Sequence, residues 1–160
     1  MSLLLPSDAI ETIGDHLASP FGGRGIEHAR RIGRQTITAM VAGAGLRRRT
    51  DGQLVARLCA EASEIQDMDT VVCVAGPPDI GSLREQVLLT EAPFQLVEGL
   101  LIAMHQCNVR RGRIELDETL HAHRSRIAST IADMVALSPA AHDVTVEVSP
   151  SVEASTAADR

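Results

Sequence analysis

The 160-residue chain contains no lysine, no tryptophan and no tyrosine, and Phe21 and Phe94 are its only two phenylalanines. The absence of lysine excludes a Schiff-base lysine and the lysine of a phosphate-binding P-loop. The scarcity of large aromatic rings leaves almost no side chains on which nucleic-acid bases or a flavin ring could stack. Several enzyme and binding classes are therefore excluded before any motif is considered.

Cysteine and long apolar runs are also scarce. The three cysteines, Cys59, Cys73 and Cys107, are odd in number and widely spaced, which fits neither a disulfide framework nor a zinc ribbon. No apolar run reaches the length of a membrane span, and Met1–Leu5 lacks the basic residues that begin a signal peptide. We therefore expect a cytosolic protein without membrane insertion. A net charge of −6 argues against general nucleic-acid binding.

The order of residues predicts helices alternating with short strands. The first helix is expected to open at Pro6–Asp8 with Ser7 as its N-cap. Further helices are predicted at 26–34, 36–43, from about 52, at 82–89, 92–106 and 117–137. β-Branched or alternating residues predict three strands, at Thr70–Ala75, Arg113–Leu116 and His142–Val148. This order predicts an α/β fold with a small, mostly parallel sheet flanked by helices.

The pattern divides the chain into an N-terminal helix (1–19), an α/β domain (20–148) and a flexible tail (149–160). The continuous β-branched run of the first strand predicts a strand that is covered on both faces. Parallel sheets bind ligands at the carboxyl ends of their strands, where this sheet carries the loop Gly76–Gly81.

Isolated polar groups give weaker signals. His121 and His123 are two residues apart and do not share a helix face, so we interpret them as solvent-exposed rather than as a metal pair. His105 and Cys107 are interpreted as partly buried packing residues. Cys73 is interpreted as a buried structural thiol, with a nucleophile at a strand end as the alternative. The run Arg47–Arg49 is either a solvated loop or an anion site beside the next helix.

Residues 71–116 carry a resemblance to a known family. The segments that match are Val71-Val72-Cys73 followed by Ala75, then Gly81, Pro93, Glu98-Gly99 with the apolar positions around them, and Arg111–Leu116. In the same register the family reads V-V-C-N-A-D-E, P-H-x-x-I-E-G-M and an aromatic strand. The chain thus resembles the flavin-binding domain of the NADH-binding flavoprotein subunit of respiratory complex I, which also occurs in related formate dehydrogenases and NAD-reducing hydrogenases. The resemblance covers about residues 20–148.

The departures from the family pattern fall on its flavin site. Arg48, Thr50 and Asp51 stand where the family's phosphate loop has glycines, and Gly76 and Pro77 replace its acidic residues after the first strand. Side chains in that loop would hinder the approach of a phosphate to the backbone N–H groups. The family's four-cysteine motif is absent, so the resemblance implies no iron–sulfur cluster. We interpret the chain as a degenerate relative that keeps the scaffold.

The resemblance leaves two hypotheses open. The first is a non-catalytic interaction or regulatory module that associates with subunits of a redox complex or with itself, without a cofactor. The second is a reduced FMN- or NADH-binding electron-transfer subunit that partner chains complete, so activity of the isolated chain is not expected. Its ligand candidates are Arg47, Arg49, Gly52, Gly76 and Asp79. A cavity between the loops Arg47–Gly52 and Gly76–Gly81 would favour the second hypothesis.

Overall fold

The computed structural model describes residues 10–19, 22, 24–47, 52–65, 67–76, 84–137 and 143–149. Three strands and eight helical segments follow one another along this part of the chain. They are α1 (Ile13–Ala18), α2 (Gly25–Ile32), α3 (Arg34–Gly43), α4 (Val55–Glu64), β1 (Thr70–Ala75), α5 (Arg84–Glu91), α6 (Pro93–Cys107), β2 (Arg111–Asp117), a 3-10 helix (Glu118–His123), α7 (Arg124–Ala136) and β3 (Asp143–Ser149).

The three strands form one parallel sheet in the order β1-β2-β3. Helices α5 and α6 connect β1 to β2, and the 3-10 helix with α7 connects β2 to β3. Parallel strands need such long crossovers because the chain must travel back to the end of the sheet where the previous strand began. The predicted α/β fold is confirmed, and the bounds predicted for β1 agree with those observed.

Helix α6 lies at the centre of the molecule. It packs against β1 and β2 of the sheet and also against the other six α-helices. Apolar residues occupy most of the circumference of α6, which is typical of a helix that is buried on more than one side. Pro93 begins the helix, where a missing backbone N–H costs nothing, and Asn108 ends it in the left-handed conformation. The buried residues of α6 are Pro93, Phe94, Val97, Glu98, Leu100, Leu101, Met104 and Gln106.

No described helix covers the second face of the sheet, contrary to the prediction that β1 is covered on both faces. Ile114 and Leu116 point towards the helices and are fully buried, whereas Val72 and Val74 point away and are 40% and 65% exposed. Helices α1 to α4 pack on α6 and not on this side of the sheet. A β-branched run therefore did not indicate a second helical layer. We call this surface the open face; it carries Val72, Val74, Arg113, Glu115, Thr145 and Glu147.

The N-terminal helix begins later than predicted. Thr12 is its N-cap and forms a capping box with Asp15, in which each side chain accepts the other residue's backbone N–H. The predicted start at Pro6–Asp8 and its cap Ser7 lie outside the described residues. None of the described helices combines the length and the apolarity that crossing a bilayer requires.

The helix predicted from Asp117 to Leu137 is two segments. Asp117 is an N-cap, and its carboxylate accepts hydrogen bonds from the Thr119 backbone N–H (2.9 Å) and hydroxyl (2.6 Å). It caps a 3-10 turn, however, and the α-helix begins only at Arg124. Short 3-10 segments are common where a helix starts from a strand end.

The packing of α6 on β2 depends on a glycine. A Cβ atom on Gly112 would lie 2.5 Å from the Met104 sulfur and 3.3 Å from a Leu100 methyl carbon. Both side chains are buried and have little room to move away. We therefore expect Gly112→Ala to lower the free energy of unfolding by about 1–3 kcal/mol, measured by urea denaturation followed by circular dichroism.

Gly99→Ala is the matched control, because Gly99 lies exposed on α6 and no described residue beyond its own helical turn comes within 4 Å of an added Cβ. Its expected effect is a stabilisation of up to about 1 kcal/mol, from helix propensity alone. If Gly112→Ala is as stable as the unchanged protein, Gly112 does not set the approach of α6 to the sheet.

Candidate functional site

The loop before α4 is closed at its base by backbone contacts. Arg47 and Leu54 form an antiparallel bridge, and the backbone N–H of Val55 donates to the Leu46 carbonyl at 2.9 Å. Gly52 has a φ of 71°, in the left-handed region that favours glycine. The predicted ligand candidate Arg49, together with Thr50 and Asp51, lies outside the described residues.

Two of the predicted ligand residues contact each other. The guanidinium of Arg47 donates a hydrogen bond to the Gly52 carbonyl at 2.9 Å. This contact closes the loop across its own ends and occupies part of the donor fork that would otherwise bind an anion. Arg47 therefore has a structural role in the loop that the sequence did not indicate.

The carboxyl edge of the sheet offers few polar side chains among the described residues. Gly76 follows β1, and no atom of the other described residues lies within 4 Å of a Cβ added to it. Asp117 ends β2, and its carboxylate caps the following 3-10 helix. Asp79 lies outside the described residues, as does most of the loop that contains it. Of the three predicted ligand residues that the structure describes, Arg47 and Gly52 contact each other, and Gly76 lies on a separate element.

The cysteines have the properties of packing residues. Burial raises the pKa of the Cys73 thiol, and the side chain packs against the hydrophobic core. Burial also raises the pKa of Cys59 and of Cys107. Protonated thiols are poor nucleophiles. These observations agree with the structural interpretation of Cys73 and with partial burial of Cys107.

A buried polar cluster lies where the N-terminal helices meet α6. Oε1 of Glu98 accepts hydrogen bonds from the backbone N–H groups of Gly25 (2.8 Å) and Ile26 (3.3 Å), the first two residues of α2. Oε2 of Glu98 lies 3.4 Å from Nε2 of His16 on α1. Both side chains are buried. We call these contacts of Glu98 the Glu98 clamp.

Close packing around the clamp requires small residues and one aromatic ring. A Cβ atom on Gly25 would lie 3.0 Å from the Glu98 carboxyl carbon and its Oε1, so glycine allows the carboxylate to reach the backbone. Phe94, one turn before Glu98 on α6, stacks on the His16 ring with centroids 5.5 Å apart. A Cβ atom on Gly22 would lie 1.5 Å from the His16 carbonyl oxygen. The chain therefore folds closely around His16.

The electrostatics of the clamp favour a charged carboxylate. Burial, the largest single influence, raises the pKa of Glu98, but the hydrogen bond with His16 and the backbone N–H groups of Ile26 and Gly25 more than offset it. The pKa of Glu98 therefore lies below its ordinary value. The positive end of the α2 dipole acts in the same direction. Because the carboxylate is shielded from solvent, the clamp joins helices and has no access to a substrate.

The sequence contained one sign of this cluster. Glu98 stands in an apolar helix between Val97 and Leu100, and a glutamate that is buried in this way requires a partner. Its position matched the Glu-Gly pair of the resemblance, but neither His16 nor the N-terminus of α2 could be identified as its partner from spacing.

Known proteins resemble this chain in structure, whereas searches with its sequence found no match. No protein-family model and no curated protein matches the sequence. The structure is similar to that of an NAD+-reducing NiFe-hydrogenase in the H2-reduced state, with a TM-score of 0.66 and 20% identity over 91% of this chain and 24% of that chain. For the air-oxidised state the TM-score is 0.67, with 19% identity over 89% of this chain and 25% of that chain. The chain thus shares a fold with about a quarter of the hydrogenase chain, in agreement with the α/β fold that the sequence resemblance implied.

The Glu98 clamp makes stability dependent on pH. We expect Glu98→Gln to lower the free energy of unfolding by about 1–3 kcal/mol at about pH 7, because hydrogen bonds to a charged carboxylate are lost. Since the folded pKa is below the ordinary 4.5, the clamp stabilises above that pH and its contribution is lost as the pH falls through the folded pKa. The difference between the two proteins therefore shrinks below about pH 4.5.

Urea denaturation across this pH range measures both quantities. Glu118→Gln, at an exposed position of the 3-10 helix, is the control and should change stability by no more than about 0.5 kcal/mol. A stability difference for Glu98→Gln that stays constant down to low pH would contradict a charged carboxylate in the clamp.

Proposed function

We propose that this chain is a non-catalytic interaction or regulatory module with a flavoprotein-like fold, and that it associates with a redox complex. The likeness to a chain of an NAD+-reducing NiFe-hydrogenase supports a redox setting. The chain spans about a quarter of that hydrogenase chain, so the partner and the activity it serves belong to the proposal.

The observation that carries this proposal is the open face of the sheet. Parallel sheets are almost always covered on both faces, whereas here Val72 and Val74 of the edge strand are 40% and 65% exposed. Burial of an exposed valine against a partner contributes roughly 1.5–3 kcal/mol. A sheet of this kind gains from a second layer, which a partner chain supplies.

The charges on the open face favour a partner with basic groups. Arg113 lies 2.7 Å from the Glu115 carboxylate and 3.6 Å from that of Glu147, on the neighbouring strand. Two carboxylates share one guanidinium, so this half of the face is net negative beside the two valines. An apolar partner surface with basic groups at its rim therefore fits the open face best.

The described part of the family's flavin region supports a role without a cofactor. A flavin phosphate needs backbone N–H groups or guanidinium groups that are open to it. Arg47 instead donates to the Gly52 carbonyl, and Gly76 supplies no polar side chain at the end of β1. The residues described in this region do not fit FMN, and we derive no electron-transfer step through it.

One observation favours the alternative, a reduced FMN- or NADH-binding subunit that partner chains complete. No described residue crowds Gly76 at the carboxyl end of β1, where parallel α/β sheets bind ligands. In that case a partner would supply the donors that this chain lacks, and binding would appear only in the complex.

Binding of a partner can be tested by a charge on the open face. We expect Val74→Lys to reduce, by at least about tenfold, the amount of redox-enzyme subunits that copurify with the tagged chain from its native cells, because a charge replaces two exposed methyl groups that the partner would bury. Mass spectrometry identifies and quantifies the copurified subunits. Leu137→Lys is the matched control, since Leu137 is 54% exposed at the end of α7 and not on the open face. Undiminished copurification with Val74→Lys would contradict the proposal.

Cofactor binding can be tested with the isolated chain. We expect no saturable quenching of flavin fluorescence when FMN is titrated with the isolated chain, and no NADH oxidation with an artificial electron acceptor. The absence of tryptophan and tyrosine keeps the optical background low. A yellow protein, or saturable quenching that weakens in Arg47→Ala, would favour the FMN-binding alternative instead.

A further inference from the structure

The outer edge of β1 has no neighbouring strand in the part of the chain that the structure describes. β1 pairs with β2 on one side, and it lies at the end of the strand order β1-β2-β3. Its other main contact is with α6, which packs on the face of the sheet that Gly112 presents to Met104. Among the described residues, the backbone N–H and C=O groups that point outward from β1 therefore have no strand to pair with.

The edge of β1 lacks the features by which proteins prevent strands of other chains from pairing. The usual features are charged side chains, prolines and bulges. β1 reads Thr-Val-Val-Cys-Val-Ala, and it pairs with β2 residue by residue without a bulge. The strand at the opposite edge differs, because β3 carries Asp143 and Glu147, and the Glu147 side chain is 52% exposed. Addition of a strand is therefore favoured at β1 and opposed at β3.

The sequence of β1 is suited to antiparallel pairing with a second copy of itself. Residues that lie directly opposite in such a pair point to the same face of the sheet. With Cys73 on the two-fold axis, Val72 of each copy lies opposite Val74 of the other. A shift of one residue would join the open face of one copy to the helical face of the other. A shift of two residues would place Val74 opposite Thr70, or Val72 opposite Gly76.

This register brings together the two exposed valines of each copy. Val72 and Val74 are 40% and 65% exposed in the single chain. Pairs of β-branched residues that lie opposite each other across two strands stabilise a sheet. Neither strand carries a charge, so no like charges meet across the pair. A second copy of this chain is thus the occupant that the edge of β1 fits.

We propose that two copies of this chain associate through the outer edges of β1, as an antiparallel pair centred on Cys73, and form one six-stranded sheet. The assembly closes as a dimer, because the edges that remain are the charged β3 strands. The side chains of the open face stay exposed on the joined sheet, so this pairing does not rest on the proposed function.

The dimer is expected to be weak. The edge of one short strand is small beside the roughly 1,200–2,000 Å² that a standard stable interface buries, and a Kd of about 10 μM to 1 mM is expected. In dilute solution, well below this Kd, the chain is a monomer and β1 remains an edge strand.

Disulfide trapping tests the register. A tagged chain with Val72→Cys and an untagged chain with Val74→Cys are mixed above the expected Kd and oxidised with diamide. Opposite Cα atoms of an antiparallel pair are about 4.5–5.5 Å apart, which suits a disulfide, whereas like positions lie diagonally, at about 7–8 Å. The mixture should give at least about tenfold more linked dimer than either variant alone, as quantified by mass spectrometry of the linked peptides.

Sedimentation equilibrium measures the association itself. Val72→Asp gives the edge of β1 a carboxylate of the kind that β3 carries, and it should weaken the dimer at least about tenfold. Leu137→Asp is the matched control and should leave the dimer unchanged, since Leu137 is 54% exposed at the end of α7 and not on β1. Circular dichroism checks that each variant is folded, and the trapping experiment does not depend on Val72→Asp.

Four results would overturn the proposal. The first two are a monomer at every concentration and a mass that rises beyond that of the dimer. The third is trapping between like positions that is as efficient as in the mixture, which would mean that the copies meet through another surface. The fourth is an equal loss of association in Val72→Asp and Leu137→Asp.

Discussion

The Glu98 clamp is the contact on which the arrangement of the N-terminal half depends. A single carboxylate, buried in the central helix, satisfies two backbone N–H groups that begin α2 and also meets His16 of α1. A charge buried in this way is tolerated only when its hydrogen bonds are complete. Helix α6 also packs on the sheet, so the clamp attaches α1 and α2 to the sheet through α6. Both helices therefore lie on the α6 side of the sheet and leave the open face free.

Much of the fold could be predicted from local pattern. The bounds of β1, the start of α6 at Pro93 and the cap at Asp117 follow from side-chain chemistry that acts over a few residues. The open face could not be predicted, because Val72 and Val74 have the same β propensity whether or not a layer covers them. The 3-10 turn before α7 could not be predicted either, because Leu120 and Ile127 keep the spacing of one continuous α-helix across it.

The candidate sites show the same limit more strongly. Arg47 and Gly52 were predicted as ligand residues, and their mutual hydrogen bond gives them a role in closing a loop. Glu98 with His16, and Gln106 with Thr38, are pairs far apart in the sequence. Such pairs carry no signal in spacing, because only the packing of α6 against two other helices brings them together. Among the described residues, those that matter chemically are therefore the ones that α6 buries.

The proposal that a partner covers the open face rests on a parallel sheet that the described helices cover on one side only. Hydrogen exchange of the chain, alone and bound to the proteins that copurify with it from its native cells, tests this proposal most directly. The account predicts that the amides of β1, an edge strand, exchange quickly in the chain alone and become protected in the complex. Unchanged exchange in β1 with protection confined to the helices would contradict it.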